Sequence, residues 1–193
     1  MFDHGITPED RDHVREEIQR THDAGIPVYY ILGNHDNEAG NRTLRRGPGI
    51  HLGGETVVFG DDVVRLSGLD YGAGEFSNPP PERPGDKGAS VSILIIHDTP
   101  YPAVDENGSP IHRTDPNHLD LREFLDSADE WLDLVVSGHL HVGSRASIAG
   151  YETPLIVTGP TAEISKSTQE NNPSTWLVTV SDGEVQVERQ RLV

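Results

Sequence analysis

Val28-Tyr29-Tyr30-Ile31-Leu32-Gly33-Asn34-His35-Asp36 passes within one short stretch from an unbroken apolar run to a group of polar side chains. The run has strand length and lacks the alternation of a half-exposed strand, so it reads as a strand covered on both faces. Gly33 lets the chain turn sharply off that strand, which projects the Asn34 amide and the His35 ring from a sheet edge. Asp36 is placed to hold the His35 ring in one tautomer, as carboxylates beside functional histidines commonly do. Gly-Asn-His-Asp is equally good composition for a plain polar turn.

The same design recurs twice. Val91–Ile96 ends in His97-Asp98, and Leu132–Ser137 ends in Gly138-His139-Leu140-His141. In an extended backbone His139 and His141 point to the same face and reach one metal or two adjacent ones. The competing readings are an exposed loop pair for these two and an ordinary strand-ending polar residue for His97. Neutral imidazoles and an amide oxygen at the carboxyl ends of strands suit a divalent transition metal. The remaining histidines, His4, His13, His22, His51, His112 and His118, are assigned to helices or loops facing solvent.

Working outward, Thr7-Pro8-Glu9-Asp10 is a helix start: a hydroxyl cap, proline in the first turn and acids at the positive helix end. Val14 and Ile18 form its buried stripe, and Gly25 with Pro27 ends it. Thr56–Phe59 and Val63–Leu69 read as a hairpin around Gly60-Asp61-Asp62. Gly72–Gly88 and Pro100–Pro116 read as long loops, and a helix from Asn117 to about Ser127 buries Leu121, Phe124 and Leu125. Ser147–Ala149 with Leu155–Thr158, then Trp176–Val180 with Val185–Arg189, complete the chain as hairpins. Buried strands alternating with helices, then hairpins, predict one α/β or α+β layered domain over residues 1–193.

The composition narrows the chemistry. At 193 residues with 34% apolar side chains the chain can bury one sizeable core. With no cysteine, disulfides and thiolate metal sites are excluded, so any metal is held by His, Asn, Asp or Glu. No apolar run approaches the roughly 20 residues of a membrane span, and the start shows no signal region, so a cytoplasmic protein without membrane association is expected. The net charge is −17, with Lys87 and Lys166 the only lysines. Acids dispersed over the whole chain match the surfaces of proteins from salt-loving microbes, where molar salt screens self-repulsion. A surface that repels nucleic acid is the alternative.

Taken in order, Gly33-Asn34-His35-Asp36, the strand-terminal His97 and Gly138-His139-Leu140-His141 resemble the calcineurin-like metallophosphoesterase superfamily. The resemblance implies a two-sheet β-sandwich flanked by helices, with a two-metal site at the strand ends. It implies Asn34, His97 and His139 as ligands of one metal, His141 as a ligand of the other, and His35, supported by Asp36, as the group that protonates the leaving oxygen. The metals would be manganese, iron or zinc, activating a bridging hydroxide for in-line attack on phosphorus. Phe2-Asp3 and Gly138–His141 are similar to exonuclease-like members, which makes nucleic acid a candidate substrate among phosphate mono- and diesters. Arg45 and Arg46, with Arg42, form the one basic cluster, near the first motif, either to meet substrate phosphates or as a solvated loop.

The family also opens with a strand ending in Asp-x-His, a helix, and a strand ending in Gly-Asp; Met1-Phe2-Asp3-His4 resembles the residues just past that Gly-Asp. The fold expected is therefore the sandwich without its first strand-helix-strand unit, about 30 residues. Weak binding of a single metal, little turnover and self-association through an exposed sheet edge follow. A noncatalytic metal-binding or interaction remnant is the rival from another class. A serine hydrolase is disfavoured, since no Gly-x-Ser-x-Gly occurs.

Overall fold

A computed structural model describes residues 8–36, 42, 44–60, 63–77, 80–83, 90–111, 118–160 and 173–192. Met1–His4, the Thr7 cap, Asp61-Asp62, Lys87, His112, Asn117 and Lys166, all invoked above, lie outside the described residues.

The centre is a seven-stranded mixed sheet in the order β3-β4-β5-β9-β11-β10-β7. Its strands are β3 (Thr56–Phe59), β4 (Val64–Gly68), β5 (Val91–Ile96), β7 (Ala103–Asp105), β9 (Leu134–Ser137), β10 (Ser144–Ile148) and β11 (Pro154–Val157). β4, β5, β9 and β11 run parallel, and the edges are antiparallel. The parallel strands are apolar at successive positions because both faces are covered. Leu94, Ile96, Val135, Leu155 and Val157 face one side, packing with Leu121, Phe124, Leu125 and Ala128 of and beside α2 (Arg122–Ala128). Val91, Ile93, Leu134 and Ile156 face the other, beneath Trp176, Val178, Val180, Val185 and Val187. Those last five come from the hairpin of β12 (Ser174–Ser181) and β13 (Glu184–Arg191). The result is an α/β layered sandwich, as the sequence predicts.

A smaller unit carries the first motif. Helix α1 (Pro8–Asp23) ends in a Schellman turn: the Gly25 N–H donates to His22 O and the Ile26 N–H to Thr21 O, with Gly25 at φ +79°. Ile18 and Val14 pack with Val28, Tyr30, Leu32 and Leu44. The expected Val28–Leu32 strand is shorter than its apolar run: β1 is Tyr29–Tyr30, half-buried, paired in parallel with β2 (Ile50–His51). After β2 the chain leaves this ribbon through Gly53, which bridges to Gly68 on the main sheet. Among the described residues β1 thus has a strand neighbour on one side only.

Three further expectations are corrected. The Pro100–Pro116 segment contains β6 (Thr99–Tyr101) and β7, because Pro100 sits in a short two-stranded ribbon and Pro102 in the turn between the two strands, positions where no ladder donor is required. The second helix begins at Arg122, with β8 (His118–Asp120) paired to β6 before it. His51 and His118 are strand residues, not solvent-facing ones: His51 packs on Tyr30 and His118 on Tyr101, with ring centroids 5.2 and 4.6 Å apart.

Candidate functional site

Register assembles the site. Ile96 of β5 lies beside Ser137 of β9, so the residues that follow, His97 and Gly138, leave the sheet together. On the other side Gly68 of β4 lies beside Ile95, which delivers Asp70 and Tyr71 to the same edge. The Tyr71 N–H donates to Leu32 O at 2.8 Å and carries the end of β1 to that edge as well.

Four side chains meet there. The His97 Nε2–H donates to Asn34 Oδ1 at 3.1 Å. The His97 ring meets His139 edge-on with centroids 5.6 Å apart, and Tyr71 stacks on His139 at 5.5 Å. Two glycines make room for the ring between them. A Cβ on Gly33 would fall 2.7 Å from His97 Nε2, and one on Gly138 would fall 2.7 Å from Nδ1. Burial above all, reinforced by His139, lowers the His97 pKa from 6.5 to about 4, so its imidazole is neutral at physiological pH.

The second motif differs from its sequence reading. His139 has φ +66°, and the Leu140 N–H donates to Gly138 O at 2.8 Å, which closes a tight three-residue turn. The backbone here is not extended, so the rule that alternate residues share a face does not apply. His139 turns toward His97 and Tyr71, while His141 is exposed. Left-handed backbone at a non-glycine residue costs about 1–3 kcal/mol, and such strain concentrates at functional sites.

Of the remaining candidates, Asn34 and His35 are exposed at the turn. The Asp36 carboxylate accepts the Gly33 N–H at 2.7 Å and so closes that turn. Arg42, Arg45 and Arg46 are exposed, and the charge of Arg45 is felt at the Tyr30 hydroxyl. Among the described residues no group of three or more His, Asp or Glu is disposed to hold a metal. The donors brought together are Asn34, His97 and His139, none of them a carboxylate. Two atoms bound at right angles to one ion at roughly 2.1 Å lie about 3 Å apart. The Asn34 Oδ1–His97 Nε2 separation has that value, and in the tautomer of neutral His97 with its proton on Nδ1 the Nε2 lone pair replaces that N–H, so these two atoms fit one divalent ion.

Sequence reasoning missed three residues that organise this edge. Asp98, 1% exposed, accepts the N–H groups of Gly72 and Gly74 at 2.9 and 3.0 Å, fixing the loop that carries Tyr71. Asp70 accepts the Leu32 N–H at 2.7 Å and pairs with His51. Both aspartates follow strand ends, the signal that marked the histidines. A concavity of about 810 Å³ lined by Phe76, Pro80, Phe124 and Trp131 shares no residue with the cluster.

No protein-family model matches the chain, and no curated protein matches its sequence. Among solved structures it is similar to a crystal structure of a candidate 5′-nucleotidase from Staphylococcus aureus, in complex with alpha-ketoglutarate. The TM-score is 0.55 at 15% identity, covering 93% of this chain and 39% of that one. The likeness is one of fold, an α/β layered domain, and lends nothing to the exonuclease-like branch. No helix among the described residues is long and apolar enough to cross a membrane.

Proposed function

We propose that the chain carries the centre of a metal-dependent hydrolase of phosphate esters, built on the fold it shares with the nucleotidase structure. The observation that carries this reading is the Asn34–His97 contact at 3.1 Å, with His139 against it, at the carboxyl ends of β5 and β9. Asn34, His97 and His139 hold one divalent ion, manganese, iron or zinc, and His141 serves a second position. When bound, the metal supplies Lewis acidity toward the phosphoryl oxygens and a water of lowered pKa. The chain's own residues do the rest. Gly33 and Gly138 admit the His97 ring, Asp98 and Tyr71 wall the site, and His35 gives a proton to the leaving oxygen as the phosphorus–oxygen bond breaks. Asp36 supports His35 by closing the turn on which it stands, and Arg45 and Arg46 meet substrate phosphate at the rim.

Manganese-dependent release of nitrophenol from a nitrophenyl phosphate mono- or diester tests this. We expect His97→Ala to abolish both binding and turnover, and His35→Ala to lower turnover by about 100-fold with metal binding intact. Turnover that persists in chelator, or is unchanged in both variants, defeats the reading. A second reading, a metal-binding remnant without turnover, is favoured by the finding that no group of three or more His, Asp or Glu among the described residues is disposed to hold a metal. Manganese binding with no hydrolysis selects it.

A further inference from the structure

Asp70 occupies an unusual position between the two units of the fold. Its Oδ1 accepts the Leu32 N–H at 2.7 Å, and the next residue, Tyr71, returns its own N–H to Leu32 O at 2.8 Å. Leu32 is gripped on both its polar groups, one residue before Gly33 and two before Asn34. The carboxylate is itself held. Both oxygens lie 3.0 Å from His51 Nε2, which donates to them, and the His51 ring packs on Tyr30. Gly53 supplies the space: a Cβ there would fall 2.2 Å from Asp70 Oδ2. The pair is largely buried, with side-chain exposures of 21% for His51 and 19% for Asp70. A solvated ion pair contributes little, whereas a carboxylate shielded from water and satisfied by a backbone N–H and a ring N–H holds its geometry.

We propose that Asp70, buttressed by His51, is a positioning residue for the candidate centre: it sets the angle at which the chain leaves β1 and thereby brings Asn34 onto His97. The proposal builds on the reading of Asn34 and His97 as one centre and adds two residues that touch neither. β1 pairs with two residues of β2 and has no other strand neighbour among the described residues. Among the described residues its exit is held by two contacts, the Tyr71 N–H and the Asp70 carboxylate, both on Leu32. Partners at one remove from a metal ligand typically control affinity by about 10–100-fold.

The test uses the full chain, metal-free, with backbone and imidazole nitrogen resonances as the primary readout. In Asp70→Ala the Asn34 side-chain amide and the His97 ring resonances should move while amides of β5 and β9 stay in place. Asp70→Asn keeps an oxygen acceptor for the Leu32 N–H and should restore the unaltered pattern. Gly53→Ala, which drives a methyl group into the carboxylate without touching it chemically, should reproduce Asp70→Ala. Manganese affinity should follow the same order, about 10-fold weaker in Asp70→Ala and Gly53→Ala than in Asp70→Asn. A loss of thermal stability with unmoved Asn34 and His97 resonances overturns the proposal, because that is what a purely structural clamp would give. So does an Asp70→Asn variant that is folded yet matches Asp70→Ala. If Asp70→Ala does not fold, the Gly53→Ala and Asp70→Asn pair decides by the same criteria. Failure of the unaltered chain to bind manganese would end the phosphoesterase reading alone, since the resonance comparison needs no metal.

Discussion

His97 shows how much a single side chain depends on what its neighbours lack. The ring fits because Gly33 and Gly138 place no Cβ on either side of it, and each missing carbon would sit 2.7 Å from a ring nitrogen. Neither glycine has the positive φ that would otherwise explain it; the requirement here is close approach. Gly138→Ala should therefore displace the ring from Asn34 and weaken manganese binding about 10-fold with little change in folding. Calorimetric titration with manganese checks this, and undiminished affinity would mean that the ring has room to spare. His139 is the contrasting case. Its neighbours Gly138 and Leu140 were legible as a strand end, but its left-handed turn was not, because local composition does not encode which of two adjacent residues takes a positive φ. The i, i+2 argument, which needs an extended backbone, does not apply for that reason.

Among the elements, the buried strands were the most readable. β5 and β9 are apolar at nearly every position, and a run covered on both faces by other layers announces itself without any periodicity. α2 was misplaced at its start because His118-Leu119-Asp120 has no strong local preference and is drawn into β8 by pairing with β6. Its buried face was nevertheless right: Leu121, Phe124 and Leu125 pack against the sheet, and Ala128 joins them at helical spacing. Leu125 is fully buried, so Leu125→Ala should cost about 2–5 kcal/mol, measurable by urea unfolding. A loss under about 1 kcal/mol would mean that α2 is not a structural layer. β1 and β2 were the least readable elements. Two-residue strands owe their existence to one another and to the grip of Asp70 and Tyr71 on Leu32, and none of these contacts is local.

At the level of the whole molecule, the dominant quantity is the net charge of −17 over 193 residues. Arginine–carboxylate pairs such as Arg15–Asp12 and Arg20–Glu17 are exposed and contribute little against it. Raising potassium chloride from 0.1 to 2 M shortens the screening length from about 10 Å to below 3 Å, which should raise the unfolding midpoint. For a chain of this size each kcal/mol of relieved repulsion moves the midpoint by about 2–4 °C. Chloride is the salt to use, because sulfate strengthens apolar burial by itself. A midpoint that is flat or falls with salt would show that the acids are compensated within the fold. Residue order and hydropathy were enough to specify the layered α/β class, the buried strands and the strand-end location of Asn34, His97 and His139, since each is a consequence of short-range pattern. Which of those side chains face one another, and that Asp70, His51 and Asp98 brace them, emerged only on folding. Those contacts join segments tens of residues apart, and strand register, which no local preference specifies, brings them within reach.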